Sequence, residues 1–143
     1  MVLVAKDIAE SDFISLSRET NTLDAARLMK EKHHGFIVVV SPQGEPEGMV
    51  TEWDFLSKIV SEGKDPSTIK LGEIMSPSLV TVKSSDGIDS VAKLMAERGI
   101  RRVLVTQDGK IIGAVTSRTI LRRLEEYVNK ISAQIARLQA PIF

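Results

Sequence analysis

Apolar and polar residues along this chain alternate between two periods, and the same order of periods occurs twice. The stretch from Val4 to Val60 aligns with Leu71 to Tyr127. Each copy opens on a short polar-apolar turn, Lys6-Asp7-Ile8 in one and Gly72-Glu73-Ile74 in the other. A brief run of period two follows, Phe13-Ile14-Ser15-Leu16 against Leu79-Val80-Thr81-Val82, and predicts a half-buried strand. Apolar positions three and four apart then predict helices over Leu23 to Lys32 and Ile88 to Arg98, with Leu28-Met29 and Leu94-Met95 at corresponding places. Asn21 or Thr22 can cap the first helix and Ser85 or Asp86 the second, with a small gap in the alignment there.

After each helix comes a β-branched run too apolar for an exposed strand, Gly35 to Val40 in one copy and Arg101 to Thr106 in the other. Gln107-Asp108-Gly109-Lys110 carries the Asp-Gly pair of a tight hairpin, and Ser41 to Glu47 is a longer, proline-marked version. The partner strands, Gly48-Met49-Val50 and Ile111 to Val115, both turn into helix at a threonine, Thr51 and Thr116. Each copy therefore reads strand, helix, strand, strand, helix. Residues 4–60 form the first repeat, 61–70 a linker marked by Gly63 and Asp65-Pro66, 71–127 the second repeat, and 128–143 a C-terminal helical extension. Units of about 60 residues lie near the lower limit of independent stability. The predicted fold is therefore α+β, with two β-α-β-β-α repeats burying their sheets against each other about a pseudo-two-fold axis. Such packing leaves two related clefts of the kind small ligands occupy.

From Thr116 the helical pattern continues to about Gln139, with Leu121, Leu124, Val128, Ile131, Ile135 and Leu138 spaced by three and four. This is more apolar stripe than one repeat needs. Either the tail folds back on its own repeats, or it pairs with a second copy in a homodimer. Pro141 marks the end of the helix.

Composition narrows the function. The 143 residues are 43% apolar and 27% charged, the balance of a globular chain, and 19 basic residues meet 19 acidic ones. Nucleic-acid binding through Arg101-Arg102 and the Arg118 to Arg123 surface is disfavoured by that zero net charge. There is no cysteine, hence no disulfide, thiolate nucleophile or Cys-based zinc site. Met1 to Ala9 is too short for a signal peptide and no apolar stretch approaches a membrane span, so a cytoplasmic, non-membrane protein is expected. With no His-carboxylate metal array and no glycine-rich phosphate loop, catalysis is not expected and no catalytic cofactor or metal is assigned. His33 and His34 suit a helix C-terminus better than a metal site, and Trp53 suits packing or a partner contact.

The order of elements, the twin Leu-Met helices and the twin Gly-x-x-Thr turns resemble a tandem pair of cystathionine-β-synthase (CBS) domains, a Bateman module, over roughly residues 4–127. That resemblance implies a regulatory module binding an adenosine-containing ligand, such as AMP, ADP, ATP or S-adenosylmethionine, in a cleft between the repeats. Some members bind other ligands or none, and a ligand-free interaction module working through a homodimer or another protein partner is the alternative.

Gly48-Met49-Val50-Thr51-Glu52-Trp53-Asp54 is similar to the family's ribose motif, Gly-x-x-Ser/Thr-x-x-Asp. If Thr51 ends a strand and starts a helix, Asp54 lies one turn along, where its carboxylate can accept from both hydroxyls of a ribose. The plainer reading is a capping box, in which the acid reaches back to the N-cap N–H, and the two roles can coexist. The second copy has Thr116 and Thr119, so no carboxylate stands there and that half-site is expected to be weak or empty. By the resemblance, Arg101 and Arg102 serve phosphate in one cleft with Thr51 and Asp54, while Gly35 and Phe36 at the equivalent places carry no charge. Adjacent strand residues point to opposite faces, so both arginines reach one ligand only if the strand entrance is irregular. They can instead simply guard a hydrophobic strand. Ile14 and Ser15 are the family's adenine-side positions.

Overall fold

In the computed structural model, residues 3–139 are described. The expected helix end at Pro141 lies outside them. The two apolar runs become the central strands of two three-stranded sheets. In the first, β1 (Ile14–Ser17) runs parallel to β2 (Phe36–Val40), which pairs antiparallel with β3 (Pro46–Thr51). In the second, β4 (Thr81–Lys83), β5 (Arg102–Gln107) and β6 (Lys110–Thr116) repeat that order and those directions. Strand β4 starts two residues later than its alternating pattern predicts, at Thr81 in place of Leu79, although Leu104 still donates to the Val80 carbonyl at 3.0 Å. The parallel pairs require crossovers, supplied by α2 (Thr22–Lys32) and α5 (Ile88–Arg98).

Local chemistry explains the ends of these helices. Asn21 caps α2 by accepting from the Asp24 N–H at 2.9 Å, whereas Thr22 is fully buried and its hydroxyl donates to the Pro66 carbonyl at 2.7 Å. For α5 neither expected cap is used: Gly87 is the N-cap, and the Asp86 carboxylate accepts from the Lys83 N–H at 2.8 Å, closing the turn after β4. Helix α5 ends on Gly99 in the left-handed region, φ 61°, and α2 ends on His33 at φ 55°. Glycine adopts that conformation without a Cβ clash; His33 bears the steric cost in the first copy. The Asp108-Gly109 hairpin has positive φ at both central residues, as its sequence predicts.

The spatial units do not follow the sequence repeats. One compact unit is Asp12–Leu79; the other is the chain up to Ser11 together with the chain from Val80 on. The short helix α4 (Leu71–Ile74), which opens the second repeat, thus completes the first core, and α1 (Ala5–Ile8) completes the second. Leu71 and Ile74 pack with Ile14, Ala25, Met29, Ile37, Val39, Val50 and Ile59. Ala5 and Ile8 pack with Val82, Val91, Met95, Val103, Val105 and Val115. The stretch between Ser61 and Lys70 is held to the first unit, since Thr22 donates to the Ile69 carbonyl at 2.7 Å and Pro66–Thr68 form a 3₁₀ turn. Lys70 also donates to Glu19, an ion pair that lowers the Glu19 pKa and raises that of Lys70.

Each exchanged segment meets its sheet through a pair of backbone bonds. Met49 and Ser76 exchange N–H···O bonds of 2.9 Å in the first unit, and Ala114 and Glu10 exchange bonds of 2.9 Å in the second. This approach requires glycine next door. A Cβ on Gly48 would stand 2.6 Å from the Ser76 carbonyl oxygen, and one on Gly113 2.9 Å from the Glu10 carbonyl oxygen. No helix among the described residues is long and apolar enough to cross a membrane.

Substituting Gly48→Ala or Gly113→Ala should therefore lower stability by about 1–3 kcal/mol, the usual cost of forcing a methyl into filled space. Urea titration should show a lower midpoint with an unchanged slope. A midpoint equal to the parent's for both variants would contradict the close backbone approach.

Candidate functional site

Strand β3 delivers Thr51 in extended geometry, φ −119° and ψ 171°, and the chain turns directly into α3 (Glu52–Phe55). The Glu52 N–H donates to the Gly35 carbonyl at 3.2 Å, fixing the helix start beside the entrance of β2. One turn along, Asp54 is only 8% exposed. Burying a carboxylate to that degree requires partners, and Asp54 has two. Its Oδ2 accepts from the Thr51 backbone N–H at 2.9 Å, which is the return bond of a capping box. Its Oδ1 lies 3.0 Å from Nζ of Lys58.

Lys58 was not among the residues singled out from the sequence. The available signal was its place four residues after an acid on a predicted helix. Its ammonium also donates to the Ile74 carbonyl at 2.7 Å, joining α3 to α4. The chain here has left α-helical geometry: Leu56–Val60 form a π-helical turn, with the Ser61 N–H bonded to the Leu56 carbonyl at 2.9 Å. The hydroxyls of Ser57 and Ser61 donate to carbonyls four residues back, both at 2.7 Å, a side-chain competition that loosens helices. Beside Lys58 lies an open depression of about 590 Å³ bordered by Glu62, Lys64 and Glu73. Because the Lys58 side chain is 45% exposed, it can swing to solvent and leave Oδ1 of Asp54 to another donor.

The corresponding turn in the second repeat is built from hydroxyls. Thr116 Oγ1 accepts from the Thr119 N–H at 3.1 Å, and the two hydroxyl oxygens are 2.9 Å apart. Thr119 is 7% exposed and is engaged with Thr116, so its hydroxyl closes the cap. Arg123, in the place of Lys58, finds no acid at position 119 and pairs with Glu126 at 2.8 Å. Arg122 pairs with Glu10 at 3.2 Å, and the depression there is smaller, about 190 Å³.

The candidate residues are divided between the units. Ile14, Ser15, Thr51 and Asp54 belong to one, and Arg101, Arg102, Thr116 and Thr119 to the other. Arg101 sits on the bend before β5 and accepts the Ser117 N–H on its carbonyl at 2.9 Å, while Arg102 is the first residue of the strand, paired across from Thr116. Ser15 is exposed, but Ile14 is 4% exposed and its side chain packs in the core, leaving little of it for a ligand. Trp53 is 65% exposed, so packing within its own unit is not its role. His33 ends α2, and no group of three or more His, Cys, Asp or Glu among the described residues could hold a metal ion.

A model of the CBS domain matches the chain twice, over residues 5–61 and 71–126. The protein MK0525 of Methanopyrus kandleri is 34% identical over 134 residues, which span 93% of this chain and 68% of that protein. The crystal structure of a conserved protein from Pyrococcus horikoshii superposes with a TM-score of 0.81 at 27% identity, covering 86% of this chain and 92% of that one. The CBS domain pair of protein MJ0100, solved in complex with 5′-methylthioadenosine and S-adenosyl-L-methionine, superposes with a TM-score of 0.78 at 25% identity, covering 89% and 99%.

The two helix starts should respond differently to substitution. Thr119→Val removes a buried hydroxyl that closes a cap and should destabilise by about 1 kcal/mol. Asp54→Asn keeps an amide oxygen for the Thr51 N–H and loses only the pairing with a half-exposed lysine, so its cost should stay below about 1 kcal/mol. Chemical denaturation of both variants checks the order; a larger loss for Asp54→Asn would mean that the ion pair, rather than the cap, holds α3.

Proposed function

Because the chain belongs to the CBS-domain family as a tandem pair, we propose that it is a regulatory module that binds an adenosine-containing ligand, AMP, ADP, ATP or S-adenosylmethionine. The observation that carries this reading is the Asp54 carboxylate at the start of α3, with one oxygen on the Thr51 N–H and the other on the half-exposed ammonium of Lys58. A ribose hydroxyl can replace that ammonium without unmaking the cap. The Thr51 hydroxyl adds a second polar contact, and the exposed Ser15 a third on the adenine side. Arg101 and Arg102 supply the charge for a phosphate or, in S-adenosylmethionine, for the carboxylate. The CBS domain pair of protein MJ0100, whose match covers 89% of this chain, was solved in complex with 5′-methylthioadenosine and S-adenosyl-L-methionine, which supports the ligand class.

The module is asymmetric in this reading. Thr119 has one hydroxyl, already engaged with Thr116, where Asp54 has two acceptor oxygens, so the second half-site contributes little to ribose binding. Ligand occupancy acts as a signal only through unequal affinity for two states of the protein, and the loosened turn at Leu56–Val60, which carries Lys58, is the element best placed to differ between them.

Thermal-shift and calorimetric titration with AMP, ADP, ATP, S-adenosylmethionine and NAD test the proposal. Ligand at about 100 times its dissociation constant should add roughly 2.7 kcal/mol, a rise of several degrees. Asp54→Asn should weaken binding of every such ligand by about tenfold or more while leaving the melting temperature of the free protein nearly unchanged. Arg101→Ala and Arg102→Ala should weaken phosphorylated ligands more than adenosine. Flat titrations for all five ligands would overturn the sensor reading and favour an interaction module, for which the exposed Trp53 offers a contact point.

A further inference from the structure

The last helix, α6 (Ser117–Gln139), is 23 residues long and only Thr119 on it is buried. Its first turns are anchored by β6 and by the ion pair of Arg122 with Glu10. No glycine or proline interrupts it, so it runs on as one rod and cannot return to its own repeats. The fold-back that the stripe allows on paper is therefore not what forms: Leu124, Val128, Ile135 and Leu138 are 53%, 50%, 48% and 86% exposed. Isolated apolar residues on a surface need no explanation, but a continuous stripe at heptad spacing does.

The composition of the stripe specifies its occupant. Leu121, Val128 and Ile135 fall at one heptad position, a, and Leu124, Ile131 and Leu138 at the other, d. β-Branched residues at two of three a positions and leucine at two of three d positions are the combination that favours a parallel two-stranded coiled coil over larger bundles. The flanking positions carry Glu125 and Ser132 on one side, Tyr127 and Gln134 on the other, so no pair of like charges would face across a parallel seam. Arg122, Arg123, Glu126, Lys130 and Arg137 all lie on the outer positions, where Arg123 and Glu126 pair within the helix. A foreign helix would ordinarily be selected by charges beside the seam. Their near absence leaves the surface matched to itself.

We propose that α6 pairs with α6 of a second copy of this chain as a parallel, two-stranded coiled coil whose seam is formed by Leu121 through Leu138. The pairing is isologous: each residue of the stripe meets its own counterpart at the same level, and the rods hold two modules side by side with the same polarity. Three heptads alone make a short coiled coil, and the anchoring of the N-terminal turns of α6 to β6 pre-orders the helix and reduces the entropy lost on pairing. The seam is independent of the ligand-binding reading, since none of the six residues belongs to that site.

Sedimentation velocity of the full chain at micromolar concentration should give a dimer. Val128→Glu or Ile131→Glu, which would place two unpaired carboxylates in the seam, should weaken self-association by about a hundredfold or more while retaining the far-UV circular dichroism of the parent. Ala133→Glu, on the outer face, should remain dimeric. Because the chain contains no cysteine, Leu138→Cys introduces a single thiol. In a parallel pair the two thiols lie at one level, and mild oxidation should convert the dimer to a disulfide-linked species; in an antiparallel pair they lie at opposite ends. A monomeric parent, a trimer, a dimer that survives Ile131→Glu, or a dimer in which Leu138→Cys does not cross-link would each overturn the proposal.

Discussion

Two short backbone exchanges hold this architecture together, Met49 with Ser76 in one unit and Ala114 with Glu10 in the other. Each lays an extended segment along the outer edge of a hairpin strand, and each depends on a glycine beside it whose Cβ position is already occupied by a carbonyl oxygen. By capping the exposed edges of β3 and β6, these bonds also satisfy backbone groups that would otherwise be open to pairing with another chain. Their further consequence is topological. The segment that opens each sequence repeat contributes Leu71 and Ile74, or Ala5 and Ile8, to the core of the other repeat's sheet, so neither sheet has a complete core made only from its own repeat. Units this small lie close to the size limit for a stable core, and sharing segments ties the folding of each repeat to the presence of the other.

The same shared segment reaches the candidate site. Helix α4, fixed by the Ser76 exchange and by Leu71 in the core, presents the Ile74 carbonyl to Lys58, and Lys58 in turn neutralises Asp54. A nearly buried carboxylate is thus held in place by a partner that is itself half in solvent. The cap uses one oxygen of Asp54, and the other lies on the Lys58 ammonium. In the second repeat the corresponding turn carries two threonines, whose hydroxyls satisfy each other, and Arg123, in the place of Lys58, pairs with Glu126. In this duplicated turn the first copy sets a carboxylate on a half-exposed lysine and the second sets a hydroxyl on its neighbouring threonine.

Several elements are legible in the sequence. The apolar runs around Val38 and Leu104 could only be central strands, the Asp108-Gly109 pair could only make a tight hairpin, and the three-and-four spacing of α2 and α5 gave their extents to within a residue. Two of the misses concern short polar side chains that have more than one partner within reach. Asp86 serves the end of β4 rather than the start of α5, and Thr22 serves a carbonyl 44 residues away rather than its own helix. Ile14 stands at the family's adenine-side position, and the alternation that made it part of a strand turned its side chain into the core.

The sequence by itself determined the duplicated order of elements, the membership in a family of tandem domains, the carboxylate that distinguishes the first helix start from the second, and the heptad stripe of α6. Those features are periodic or local, and periodicity and local hydrogen bonding are written in neighbouring residues. Only the tertiary structure decided that each repeat completes its core with the leading segment of the other, that Lys58 stands on Asp54, that the chain widens to a π-helical turn there, and that α6 leaves its apolar face uncovered. Each of those outcomes depends on which distant backbone approaches within hydrogen-bonding distance, a choice set by the packing of the whole unit and therefore not encoded at any single stretch of chain.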